Sequence, residues 1–138
     1  MYETIVVGTD GSESANRAVE KGLYHAEQSG AELHAITVVN TRRYGEPTLS
    51  STELVLNELE ARASTQLDEV RERAQNRGVE IVTENFHGDP SDEILRYADA
   101  VDADLIVLGY QGRTHTRSRI GSTADRVVRG TDRSVLLV

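Results

Sequence analysis

Short stretches rich in apolar and β-branched residues alternate along the chain with longer segments whose apolar positions recur every three or four residues. The short runs are Thr4 to Gly8, Glu32 to Val39, Val79 to Phe86, Leu105 to Leu108 and Ser134 to Val138, and each predicts a strand. Between them, Ala15, Ala18, Val19, Gly22, Leu23 and Ala26 share one face of a helix predicted over Ser14 to Gln28, with Gly30 just past its end. Leu56, Leu59, Ala63, Leu67, Val70 and Ala74 predict a long helix over Glu53 to Asn76, stopped by Gly78. On its wet side Glu58–Arg62 and Glu69–Arg73 stand at i,i+4 spacing and are expected to pair. Asn40 to Thr52, with Gly45, Pro47 and several hydroxyl residues, reads as a loop. Asp89 is placed to cap a helix that opens on Pro90 and carries Ile94, Leu95, Ala98 and Val101 inward. Thr123 to Arg129 predicts a last short helix ending near Gly130.

Strands without polar alternation, separated by helices, need cover on both faces. This argues for a parallel sheet in a small doubly wound α/β domain. The 138 residues suit one such domain over 1–138. Strand order does not follow from the pattern.

Charge narrows the partners. The formal net charge is −8, which disfavours nucleic acid and anionic membranes. Of 15 basic residues only Lys21 is lysine, leaving 14 arginines. An acidic, lysine-poor surface suits a salt-rich cytoplasm; compositional drift in a high-GC genome produces the same bias. No apolar run has spanning length, and the N-terminus enters Ile5-Val6-Val7 without a signal-peptide pattern. The absence of cysteine excludes disulfides and thiolate chemistry. Together these features predict a cytoplasmic protein.

The candidate chemistry lies in two loops. Asp10 stands two residues beyond the first strand, where a carboxylate can accept from sugar hydroxyls or simply cap a turn. After the fourth strand come Gly109 and Gly112, and later Gly121-Ser122-Thr123 opens a helix. Glycines there admit a close ligand, and a hydroxyl-rich helix start suits an anion. Between them Arg113, Arg117 and Arg119 interleave with Thr114, Thr116 and Ser118, and Arg117 is a candidate phosphate ligand. His25, His34, His87 and His115 show no metal-ligand spacing and read as surface or strand-end residues. No lysine-bearing phosphate loop and no serine–histidine–acid arrangement is present, so nothing activates a nucleophile.

The glycine constellation resembles that of the ATP-binding branch of the universal stress protein family. That branch carries glycine, two residues, glycine, nine residues, glycine, then serine or threonine; here the second gap is eight, Arg113 to Ile120. The resemblance extends over the chain, through Ile5-Val6-Val7-Gly8-Thr9-Asp10-Gly11-Ser12 and through Gly88-Asp89-Pro90 with Ile94. It implies strand order 3-2-1-4-5, with the loops after strands 1 and 4 facing each other at the switch point. It further implies ATP with Mg²⁺ or Mn²⁺. Asp10 would lie on the ribose, the backbones of Thr9 and Val39 at the adenine, and Gly109, Gly112, Gly121, Ser122 and Thr123 around ribose and phosphates. The family pattern also implies a homodimer through the final strand. The leading expectation is a nucleotide-dependent switch or sensor in a stress response, at most a slow ATPase. The shortened gap supports a second reading, a dimeric interaction or chaperone-like member without nucleotide. A third, an ATP-using enzyme, asks for a second pocket that so short a chain has little room to build.

Overall fold

Strands that are apolar throughout gain stability only if both faces are covered, and this sheet is covered on both. The computed structural model describes residues 2–40, 49–111 and 120–138, and only the backbone of 49–52. The elements are β1 (Thr4–Gly8), α1 (Glu13–Ser29), β2 (Glu32–Val39), α2 (Leu49–Asn76), β3 (Ile81–His87), α3 (Pro90–Ala100), β4 (Leu105–Leu108), α4 (Ser122–Gly130) and β5 (Ser134–Leu137). All pairings are parallel and the order is β3-β2-β1-β4-β5. β1 is therefore central, with Ile5 opposite Leu33 on one side and Leu105 on the other.

Period-two alternation sends the strand side chains into two cores. Ile5, Val7, Leu33, Ala35, Leu105 and Val107 meet Ala18, Val19 and Leu23 of α1 and Leu67, Val70 and Ala74 of α2. Val6, Ile36, Ile106 and Leu108 meet Ile94 and Ala98 of α3 and Val127 of α4. α1 and α2 thus cover one face, α3 and α4 the other.

Several boundaries follow local chemistry. Ser12 caps α1 by accepting from the Ala15 N–H at 3.1 Å, and Gly30 ends it at φ 68°. Asp89 caps α3 by accepting from the Asp92 N–H, with Pro90 in the first turn. α2 begins at Leu49, a full turn before the expected start at Glu53. Ser50, Ser51 and Thr52 were expected in a loop; such residues are weak helix formers but are tolerated in a first turn. β3 starts at Ile81 rather than Val79, because Val79 closes the end of α2. Its N–H donates to the Ala74 carbonyl and its side chain is buried in the α2 core.

Three side-chain expectations are overturned. Arg73 pairs with Glu20 of α1 at 2.6 Å instead of with Glu69, and Glu58–Arg62 does not form. Arg77 joins the same Glu20 and also Glu27. Cross-helix carboxylates compete successfully with i,i+4 partners that contribute only a few tenths of a kcal/mol. His34 is buried rather than at the surface: it points between β2 and α3, with Nδ1 2.6 Å from the Tyr97 hydroxyl and Nε2 2.6 Å from Glu32. An interior strand position imposes burial, and two polar partners make it tolerable.

Asp89 and Asp104 tie stability to pH. The Ser91 hydroxyl, then the Asp92 N–H and Arg126, hold the Asp89 carboxyl below its ordinary value against the opposing effect of burial. The Glu3 and Thr4 N–H groups do the same for Asp104. A depressed folded pKa contributes stability that is complete above the ordinary aspartate range and lost as pH falls through the folded value. Asp89→Asn keeps the cap and removes the titration, so its urea midpoint will fall less steeply on acidification than wild type. Asp89→Ala loses the cap and will cost about 1 kcal/mol near neutral pH.

Candidate functional site

In a doubly wound sheet the crevice opens at the carboxyl ends of the strands, where neighbouring crossovers depart to opposite faces. β1 and β4 are those neighbours here, and a cleft of about 340 Å³ lies beyond their ends. Thr9, Asp10, Val39, Gly109, Gly121, Ser122 and Thr123 all line it. The fold thus brings together the expected residues that fall within its described part. Gly112 and Arg117 lie outside the described residues.

The β1–α1 turn is rigidly specified. The Thr9 N–H continues the ladder to the Ile36 carbonyl at 3.0 Å, and the Thr9 hydroxyl accepts from the Gly11 N–H. The Asp10 carboxylate accepts from the Ser12 N–H at 2.9 Å, an Asx-type turn, while remaining exposed at the cleft. Both readings of Asp10 are therefore compatible: one oxygen holds the turn and the group still faces the cavity. Gly11 has φ +80°, and a Cβ there would lie 2.4 Å from Nε2 of Gln66. That amide reaches across from α2 to the Asp10 carbonyl at 3.3 Å.

Gly109 has a different role from the one its position first implies. A Cβ on it would lie 2.4 Å from the Ser14 Oγ and 2.9 Å from the Ala15 N. Its missing side chain admits the first turn of α1, whether or not a ligand also approaches. Ser14 then binds the neighbouring strands, donating to the Val138 carbonyl at 3.1 Å and accepting from the Gln111 N–H at 3.2 Å.

α4 starts on Gly121, which supplies no side-chain cap. The Gly121 N–H donates to the Tyr110 carbonyl at 2.7 Å, so it is not a donor for a ligand. The first helical bond runs from Asp125 to Gly121, which leaves the N–H groups of Thr123 and Ala124 ahead of the ladder. The positive end of the helix dipole coincides with them.

At the far side, β2 outruns β1. Its Ile36 carbonyl receives the Thr9 N–H from β1, while its Val39 carbonyl receives the Gly88 N–H beyond β3. Strand alternation therefore turns the N–H and C=O of Val38 toward the space where β1 has ended, and Val38 lines the cleft. Val38 was not singled out from the sequence. Which of two adjacent valines turns its backbone inward depends on which neighbour strand ends first. Among the described residues no group of three or more histidines, aspartates or glutamates is gathered to hold a metal ion.

The family comparison agrees with this architecture. The universal stress protein family model matches residues 1–138, and the chain belongs to that family. A universal stress protein of Methanocaldococcus jannaschii is 36% identical over 140 residues, spanning 100% of this chain and 82% of the relative. Among solved structures, the universal stress protein UspA of Lactobacillus plantarum superposes with a TM-score of 0.84 at 29% identity, covering 99% of this chain and 97% of that one. A universal stress protein in complex with cAMP superposes at 0.76 with 32% identity, covering 99% and 97%.

The Gly109 contact has a measurable consequence. Gly109→Ala will lower unfolding stability by about 1–3 kcal/mol in chemical denaturation without any ligand, because backbone atoms of α1 cannot yield to a methyl group. Wild-type stability in that variant would assign the glycine to ligand approach alone.

Proposed function

We propose that the cleft binds an adenine nucleotide, ATP in the first place, and that the protein serves as a nucleotide-dependent switch or sensor in a stress response. The observation that carries this reading is a single convergence. The exposed Asp10 carboxylate, the inward-turned backbone of Val38 and the uncapped start of α4 face one cleft from three elements. Asp10 would take ribose hydroxyls, the Val38 backbone the base with Thr9 and Val39 lining the cleft beside it, and the first turn of α4 the phosphates, with Thr123 adding a hydroxyl donor. The similar universal stress protein solved in complex with cAMP supports a nucleotide as the ligand class. Mg²⁺ or Mn²⁺ would travel with the phosphates and neutralise part of their charge. No described residue is arranged to activate a nucleophile, so binding rather than turnover is the activity proposed.

Calorimetric titration with Mg·ATP in high-KCl buffer tests this. Wild type will bind saturably. Asp10→Ala will weaken binding about tenfold, the loss of a charge-assisted hydrogen bond. Gly121→Val will abolish it; its backbone, φ −65° and ψ 153°, accepts any residue, so only the added bulk acts. No wild-type binding would refute the nucleotide reading.

The exposed edge of the sheet supports a homodimer, which also underlies the alternative reading as a dimeric interaction protein without nucleotide. β5 is an edge strand, and Val135, Leu136 and Leu137 are only half-buried. Val128 of α4 and Tyr110 nearby are exposed. An apolar edge of this kind is stable in water when another copy pairs with it. Sedimentation velocity will find a dimer, and Val128→Glu, at an exposed position that leaves the core intact, will shift it toward monomer. A monomeric wild type would refute the interface.

A further inference from the structure

The wall of the cleft formed by α2 contains a charge that no carboxylate among the described residues neutralises. Leu59, Arg62, Ala63 and Gln66 line the cavity, and their i, i+3, i+4, i+7 spacing puts them on one helix face. Arg71, Arg73, Arg77, Arg96, Arg126, Arg129 and Arg133 each lie within 3.4 Å of a carboxylate. Among the described residues Arg62 has no such partner, although Glu58 stands one turn before it and the chain is acidic. Arg17 is also unpaired, but it does not line the cleft. Arg62 is thus the cation that faces the cavity from the described part of the chain.

The fold fixes which end of a ligand this cation meets. α2 packs over β2 and β3, on the opposite face of the sheet from α4. Gln66, one turn beyond Arg62, is bonded to the Asp10 carbonyl, and Glu60 pairs with His87 at the end of β3 at 2.7 Å. Those two braces hold the Arg62 turn beside the exit of β2, where Val38, Val39 and Asn40 line the cleft, and across from the start of α4. A planar, weakly hydrated guanidinium is well matched to the face of an aromatic heterocycle. Resting on the nucleotide reading above, we infer that Arg62 is a ligand-contacting residue that covers the purine ring and contributes to selection of the base, independently of the phosphates.

The experiment is calorimetric titration of wild type, Arg62→Ala and Arg62→Lys with AMP and with Mg·ATP, each at low and high KCl, alongside thermal unfolding without ligand. Arg62→Ala is expected to weaken AMP and ATP by the same factor, about fivefold to tenfold, with little change in salt dependence and an unchanged Tm. Arg62→Lys is expected to recover only part of the loss, since an ammonium cannot stack. A loss larger for ATP than for AMP and relieved by salt would make Arg62 a phosphate ligand and overturn the inference. Unchanged affinity for both nucleotides would overturn it while leaving the nucleotide reading intact. Failure of wild type to bind either nucleotide would defeat the nucleotide reading and this inference with it.

Discussion

The structure depends on a contact with no space to spare. The first turn of α1 lies against Gly109 so closely that one methyl group would overlap backbone. From that position Ser14 reaches both the Gln111 N–H and the Val138 carbonyl. One hydroxyl therefore joins the end of β4, the end of β5 and the start of α1. The Asp10 turn precedes that helix directly, so its position relative to β4 is set by the same contact. A switch-point cleft exists in many folds; here its width is set by the approach of α1 to a single glycine.

Much of this organisation can be read from the chain, and the exceptions share a cause. β1 and β4 are almost wholly apolar and β2 mainly so, and Gly30 and Asp89 mark helix ends by local chemistry, so these elements need no tertiary information. The order of the strands is non-local, and pattern alone left it open; the family resemblance supplied it. Val38 illustrates the difference: its role follows from where β1 stops relative to β2, a relation between segments thirty residues apart in the chain. Arg62 and Arg73 read as the wet side of α2 because helical spacing reveals neighbours on one helix and not those across a groove. His34 reads as a surface or strand-end residue for the same reason. Nothing in Glu32-Leu33-His34 announces that Tyr97 will stand above it.

The acidic surface with almost no lysine gains a structural meaning from its pairings. Glu20 holds Arg73 of α2 and Arg77 just beyond its end, and Arg133 joins Asp99 and Asp102 while donating to the Ala103 carbonyl. A guanidinium fork can serve several acceptors at once, as a lysine ammonium cannot in fixed planar geometry. Individually such exposed pairs contribute little. As bridges they tie α1 to the end of α2, and the end of α3 to the segment before β5, in a background of excess negative charge.

The bond from the Gly121 N–H to the Tyr110 carbonyl closes the neck of the segment between them. Both ends of that segment are anchored to the body of the protein, so its length is decoupled from the placement of α4. Adding or removing a residue inside a closed neck alters closure entropy by only a few tenths of a kcal/mol. The gap of eight residues where nine is the family habit is therefore a change within a cassette. Such a cassette can be resized over evolutionary time, and its contents exchanged, while the helix start beyond it stays in register with the sheet.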